Sequence, residues 1–381
     1  MIERMIETRH AITFNSLSHS NLEWKRFFQF LFLLIMSVLW FISAFRDEHI
    51  GSDHGNYVDA FHNIEKNGDA YFTEKGYVLL NKIAIIIGGG TVTLTILVTT
   101  LILLNFIIYI RKYVSPDYYI FSILVFVFQP YLYIQCSFNI MRQGCAIAIV
   151  LLSIPFLLQG KWVKYIFTIL IASTFHSSVL VMLLLILFRK IDFTPTLIRR
   201  LAIICLIMNL LNVGTLVFKI ISRYSLYETY DASLLNFRPY VFAITFIVLY
   251  FTSIYSELYK SKEEKVLVDL FILSLVFLIF AVQNDMLYRV YIVLAFISIP
   301  GITIICKNLK GKRNYIELCF VGYYSLFYIF YFLYFLCSQY RIWNTSLGIA
   351  STTAIPRTIP KAILSASSPS CAAFPISLVT R

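Results

Sequence analysis

Charge is scarce in this chain. Only 14% of its 381 residues are Asp, Glu, Lys or Arg, while 59% are hydrophobic and the mean hydropathy is +0.77. Soluble domains carry roughly a quarter charged residues, so this balance excludes an ordinary soluble globular protein. Cysteine pairing is also missing: Cys136, Cys145, Cys205, Cys306, Cys319, Cys337 and Cys371 form no CxxC, and most lie in apolar runs. They read as packing residues, not as a disulfide or metal framework. No cleavable leader is visible, because the first apolar run, Phe27–Phe45, is too long for a signal-peptide core and reads as a signal anchor. The P-loop, GxSxG and HExxH patterns are absent, and Gly88-Gly89-Gly90 lacks the dinucleotide spacing, so it reads as a hinge. The net charge of +12 comes from basic residues in short connections between apolar runs. That is a topology signal, and no nucleic-acid partner is expected.

What the chain has is apolar length. A spanning helix needs about 20 apolar residues. Candidate spans are Phe27–Phe45, Thr91–Ile110, Tyr118–Gln135, Gly144–Gln159, Ile198–Lys219, Tyr240–Tyr255, Val266–Ala281, Val290–Cys306 and Tyr315–Cys337. Tyr77–Ile87 is shorter, and Tyr165–Phe188 is interrupted by Ser173-Thr174-Phe175-His176-Ser177-Ser178. The expected fold is an all-α polytopic membrane protein with about 10–11 transmembrane helices, including a re-entrant or broken-helix hairpin, and short external loops. Residues 1–26 read as a cytoplasmic arm, 27–337 as the multi-span domain and 338–381 as a disordered or atypical tail. The tail's Pro356, Pro360, Pro369 and Pro375 oppose a helix.

Orientation follows the basic loops. Arg4, Arg9, Lys25 and Arg26 place the N-terminus in the cytoplasm; Arg111-Lys112, Lys161/Lys164, Arg189-Lys190-Arg199-Arg200, Lys260–Lys265 and Lys307–Arg313 mark later returns. A single crossing by Tyr165–Phe188 would put basic loops on both sides. A hairpin turning near His176 removes the conflict, since each half, at about 12 residues or about 18 Å, is too short to cross alone. The external face then collects Arg46–Lys75, Cys136–Arg142, the His176 turn, Arg223, Arg238, Asp285 and Arg289.

Several of these residues suit chemistry, each beside a plainer role. In the first external loop, Arg46, Gly51, Asp53, Tyr57 and Phe61 are followed by Glu74-Lys75-Gly76-Tyr77. Asp53 suits a general base or a partner for a sugar hydroxyl; the alternative is a solvated loop. Arg142, before an apolar helix, suits a phosphate, or it snorkels to lipid headgroups. His176 is a polar interruption at membrane depth, where such groups are costly and have partners or functions; the alternative is a structural histidine. Arg289, near Asp285, is a second anion holder or Asp285's ion-pair partner. Arg223 and Arg238 are weaker candidates. The Asp47/Glu48/His49/Asp53/His54 set matches no metal-ligand spacing, so neither metal nor cofactor is expected.

Taken in order, four stretches resemble the EpsG family of bacterial membrane proteins, related to the Wzy-type O-antigen and exopolysaccharide polymerases. They are Arg46…Gly51-Ser52-Asp53…Tyr57…Phe61; Glu74-Lys75-Gly76-Tyr77-Val78-Leu79-Leu80; Asn139-Ile140-Met141-Arg142-Gln143-Gly144-Cys145-Ala146; and Lys161–Tyr165 leading to Ala172-Ser173-Thr174-Phe175-His176-Ser177-Ser178. Tyr288-Arg289 fits a looser position. Cys145 and Val179 depart from the pattern, and the tail from Thr345 matches nothing in it. The resemblance implies a glycosyltransferase of the bacterial inner membrane that polymerises undecaprenyl-pyrophosphate-linked oligosaccharide repeat units into O-antigen, capsule or exopolysaccharide on the external face. It implies Arg142, His176, Asp53 and Arg289 as catalytic, and Arg46, Tyr57, Gln143, Arg223, Arg238 and Asp285 as substrate-binding. The lipid bilayer, a chain-length regulator and a flippase are the implied partners. The alternatives are a lipid-linked-sugar flippase or transporter, a membrane glycan O-acyltransferase, and a non-catalytic assembly partner.

Overall fold

The computed structural model describes residues 2–48, 50–51, 53–68, 74–129, 132–189, 191–211, 213, 245, 248, 259–281 and 285–308. Arg223, Arg238, the span at Tyr315–Cys337, the tail, and the span at Tyr240–Tyr255 apart from Thr245 and Val248 lie outside them. The chain is an all-α polytopic membrane protein. Its helices are α1 (Ile2–Ala44), α2 (His54–Asn67), α3 (Lys75–Ile87), α4 (Gly90–Tyr113), α5 (Tyr119–Phe128), α6 (Met141–Gln159), α7 (Trp162–Ser173), α8 (Leu185–Phe188), α9 (Pro195–Leu210), α10 (Lys262–Ala281) and α11 (Asp285–Asn308). Among the described residues, four stretches are long and apolar enough to cross a membrane: Leu22–Ala44, Gly90–Tyr113, Met141–Gln159 and Leu287–Asn308.

The span expected at Tyr118–Gln135 breaks early. Proline disfavours a helical residue before it, and Gln129, which precedes Pro130, is extended, with φ −68 and ψ 115, so α5 stops at Phe128. The chain then re-coils into a π-helical turn, Gln135–Asn139, directly ahead of α6. α3 does not cross either. Thirteen residues reach about 20 Å. Its N-terminal end is tied to Arg142 through Glu74. Beyond Gly88 and Gly89, both at positive φ, it leads into α4, whose Thr91 bonds Glu48 and whose Thr95 hydroxyl donates to Ala44 O (2.8 Å), beside the C-terminal end of α1. Both ends of α3 therefore belong to one end of the bundle.

The segment after α6 doubles back. α7 ascends from Trp162, the chain turns at Thr174–His176, and a 3-10 stretch, Ser177–Leu184, runs through α8 to Arg189. Tyr165 Oη donates to Met182 O (2.6 Å) between the two arms. Arg189 returns to the start of the hairpin, donating to Leu158 O (2.9 Å) with its guanidinium 5.0 Å over the Trp162 ring. α10 and α11 are antiparallel. Gly301 lies so close to Leu267 O that a side chain there would collide with it, the small-residue approach that apolar helices use when no water drives them together. Phe106, Phe126 and Phe296 lock α4, α5 and α11 through a stack at 4.1 Å and edge contacts at 6.2 and 5.4 Å. The result is a bundle with two chemically distinct ends. One gathers Arg189, Lys265 and Lys307; the other gathers the first three sequence stretches described above and the Ala172–Ser178 part of the fourth.

Candidate functional site

The first layer of the site is a knot around Arg46. The chain leaves α1 at Ala44, and Gly51 turns at φ +120, with Phe138 O only 2.6 Å from where a Cβ would stand. No larger residue fits that approach. Arg46 is 7% exposed. Its Nη1 donates to Ser43 O (3.2 Å) and to Ser137 O, and its Nη2 donates to His54 Nδ1 (3.2 Å) and to Met141 Sδ (3.0 Å). The guanidinium also lies 4.9 Å from the centre of the Phe138 ring. Burial lowers the Arg46 pKa to about 10, which leaves it charged at neutral pH. Burial, then the Arg46 charge, push His54 down to about 4, so His54 is neutral and accepts from Arg46. Arg46 thus spends its Nη1 and Nη2 donors on the protein's own groups and clamps the π-turn that feeds Arg142.

Arg142 forms the second layer. Nη1 donates to Glu74 Oε2 (2.8 Å), across 68 residues. The guanidinium also hydrogen-bonds the Tyr57 side chain and lies 6.0 Å from its ring centre. Tyr57 packs edge-on against the fully buried Tyr77 at 5.7 Å. Asp53, the residue before α2, makes no side-chain capping bond, and its charge is felt at Tyr57 four residues on. The Asp53 carboxylate is therefore within electrostatic reach of Tyr57.

The hairpin tip closes the third side. Gly76 N donates to Thr174 O (2.9 Å), and Gly76 is pressed so closely onto Thr174 and the Phe175 ring that a Cβ would collide with both. His176 caps the following 3-10 stretch, its Nδ1 accepting from Ser178 N–H (3.2 Å). Arg289 and Arg142 are the cations whose fields reach it. The last wall is α11: Gln143, 1% exposed, donates through Nε2 to Arg289 O (2.6 Å), joining the N-terminal turns of α6 and α11.

The structure therefore brings together Arg46, Asp53, Tyr57, Arg142, Gln143, His176 and Arg289. Asp285 begins α11 one turn before Arg289; Arg223 and Arg238 lie outside the described residues. Arg289 stands on the same end of the bundle as Arg142, as the hairpin requires. Three participants were not among the sequence candidates for the site: Glu74 as the partner of Arg142, His54 as the partner of Arg46, and Ser137–Phe138 as the wall that Arg46 holds. The chemistry available is anion binding by arginines beside a carboxylate, a tyrosine and a neutral histidine. Among the described residues, no group of three or more His, Cys, Asp or Glu is arranged to hold a metal ion.

The model of the EpsG family matches residues 29–344, most of the chain and every layer of this site. No curated protein and no solved structure matches the chain.

Proposed function

The chain belongs to the EpsG family, a family of Wzy-type polymerases, and we propose that it polymerises lipid-linked oligosaccharide repeat units at this site. The supporting observation is that four stretches spread from Arg46 to His176 meet at one end of the bundle, joined by Arg46–Met141, Glu74–Arg142 and Gly76–Thr174, with Gln143–Arg289 adding α11. In the reaction, the bond between the sugar anomeric carbon and its undecaprenyl-pyrophosphate oxygen breaks. A glycosidic bond forms to a hydroxyl of the incoming repeat unit, and that hydroxyl's proton passes to a base. Negative charge grows on the departing pyrophosphate, where guanidinium groups in a dry site stabilise it best. Arg142 and Arg289 meet that need. Asp53 or His176 takes the proton. Tyr57 and Gln143 shape the substrate-facing wall, and Arg46 positions it through Ser137–Phe138. Arg223, Arg238 and Asp285 belong to the substrate-binding margin in this reading.

The basic residues at the opposite end support a site on the external face of a bacterial inner membrane, with the N-terminus inside. A flippase and a chain-length regulator are its partners. The test is complementation of a strain lacking its polymerase. Wild type restores long polymer, while Arg142→Ala and Arg289→Ala, at normal levels in the membrane, leave single repeat units on the lipid acceptor. Full-length polymer from Arg142→Ala would overturn the assignment. Loss of even single units would instead point to transport.

A further inference from the structure

The hairpin tip fixes more than the place of His176; it fixes which nitrogen carries hydrogen. His176 is extended, at φ −163 and ψ 125, and its Nδ1 accepts the Ser178 N–H at 3.2 Å. A ring nitrogen that accepts from a backbone amide uses its lone pair there and bears no proton. In the neutral ring the single hydrogen then sits on Nε2. A second proton would have to enter at Nδ1, breaking the cap and placing a third cation beside Arg142 and Arg289. The charged neighbours on the elements packed here are Arg142 from α6, paired with Glu74, and Arg289 from α11. Both arginines oppose protonation. His176 is therefore ill-suited to take a proton, and its remaining polar atom is a donor.

We propose that His176 is a fixed hydrogen-bond donor, presenting Nε2–H to an oxygen of the carrier's pyrophosphate alongside the two arginines. The inference rests on the polymerase reading and alters one role within it. His176 keeps its hydrogen throughout, and the acceptor hydroxyl's proton leaves to the Asp53 carboxylate. The donor's value lies in being aimed before charge develops, which for one such group is worth roughly 100- to 1,000-fold in rate.

Two amides separate the roles. In His176→Asn, the side-chain oxygen replaces Nδ1 and keeps the Ser178 cap, but nothing replaces Nε2–H. In His176→Gln, the amide nitrogen reaches the Nε2 position and restores a donor. Neither amide can act as a base. With the full chain in lipid nanodiscs and lipid-linked repeat units as substrate, His176→Gln should retain rates within roughly tenfold of wild type, while His176→Asn falls at least ~100-fold. Equal loss in both variants, or full activity in His176→Asn, overturns the donor role. Nitrogen NMR of histidine-labelled wild type, assigned by the signal missing from whichever of the two variants folds, should show hydrogen on Nε2 and none on Nδ1; the reverse overturns it whatever the variants' activities. Arg142→Ala in the same assay keeps the two claims apart. If it polymerises normally, the polymerase site is wrong; if it is inactive while the two amides behave alike, only the donor inference fails.

Discussion

The two ends of the bundle use basic residues in opposite ways. At one end, Lys265 pairs with a largely exposed Asp192, Lys307 lies 3.7 Å from Glu264, and Arg199 bonds Pro195 O within its own helix. Even Arg189, half covered by Trp162, only fastens the hairpin to Leu158 O. These charges remain near water, as the positive-inside rule expects of a cytoplasmic end. At the other end, Arg46 is buried with a neutral histidine, backbone carbonyls and a thioether, and Arg142 is shared between Glu74 and Tyr57. Holding guanidinium groups in such places costs desolvation. A fold that merely needed an inside end would leave them in solvent, so that cost favours this end for the proposed anion site.

The largest effect expected is on polymer formation. Arg142→Ala should lower it by at least ~1,000-fold, since truncation removes a phosphate partner and leaves Glu74 unpaired. Arg189→Ala, at the far end, should change it less than about threefold. Gel analysis of lipid-linked glycan length reads both, and equal losses would erase the contrast.

Backbone approach comes next. A Cβ on Gly144 would lie 2.5 Å from Cys136 O, whereas one on Gly55 would meet nothing within 4 Å. Gly144→Val should cost several kcal/mol, on the order of what overpacking a core costs at its worst, and reduce folded protein in the membrane. Gly55→Ala should be neutral or slightly stabilising, because alanine favours the helix. Size-exclusion yield in detergent distinguishes them.

A pH effect follows from His54. Its folded pKa of about 4 lies below the ordinary 6.5, so between these values the unfolded chain binds more protons. The site end should therefore be fully stable above pH 6.5 and lose stability as pH falls toward 4, by roughly 1.4 kcal/mol per unit at most. His54→Gln should flatten that slope in thermal melts from pH 7 to 4.5; an unchanged slope would remove His54 as its source. Smallest of all, Lys307→Ala should shift stability by no more than about 0.5 kcal/mol, because the pair is partly exposed and screened by salt. A shift above 2 kcal/mol would mean the basic end does more than set topology.

Much of this was legible in the sequence because charge and hydropathy act locally. Lys161/Lys164 and Arg189-Lys190 required a return between them, and the hairpin through His176 supplies it. Pro130 was equally visible, yet the stretch Tyr118–Gln135 reads as one span until the break at Gln129 and the π-turn are seen. Glu74 stands in its motif, but nothing in the motif marks it as Arg142's partner. That pairing depends on α3 lying with both ends at one end of the bundle, a tertiary fact without local signature. The family resemblance implies Arg46 and Gln143 as substrate ligands. The fold engages them with Ser137 O and Arg289 O, which only the approach of distant backbones makes available.

The central claim is that residues as far apart as Arg46 and Arg289 share one external face, opposite the basic end. The most direct measurement labels single cysteines at positions 289 and 189 with a membrane-impermeant maleimide in intact cells and after permeabilisation, on a chain with its other cysteines replaced. Position 289 should label in intact cells and position 189 only after permeabilisation. Labelling of both positions from the same side, or of position 189 alone in intact cells, would contradict the hairpin and dissolve the site.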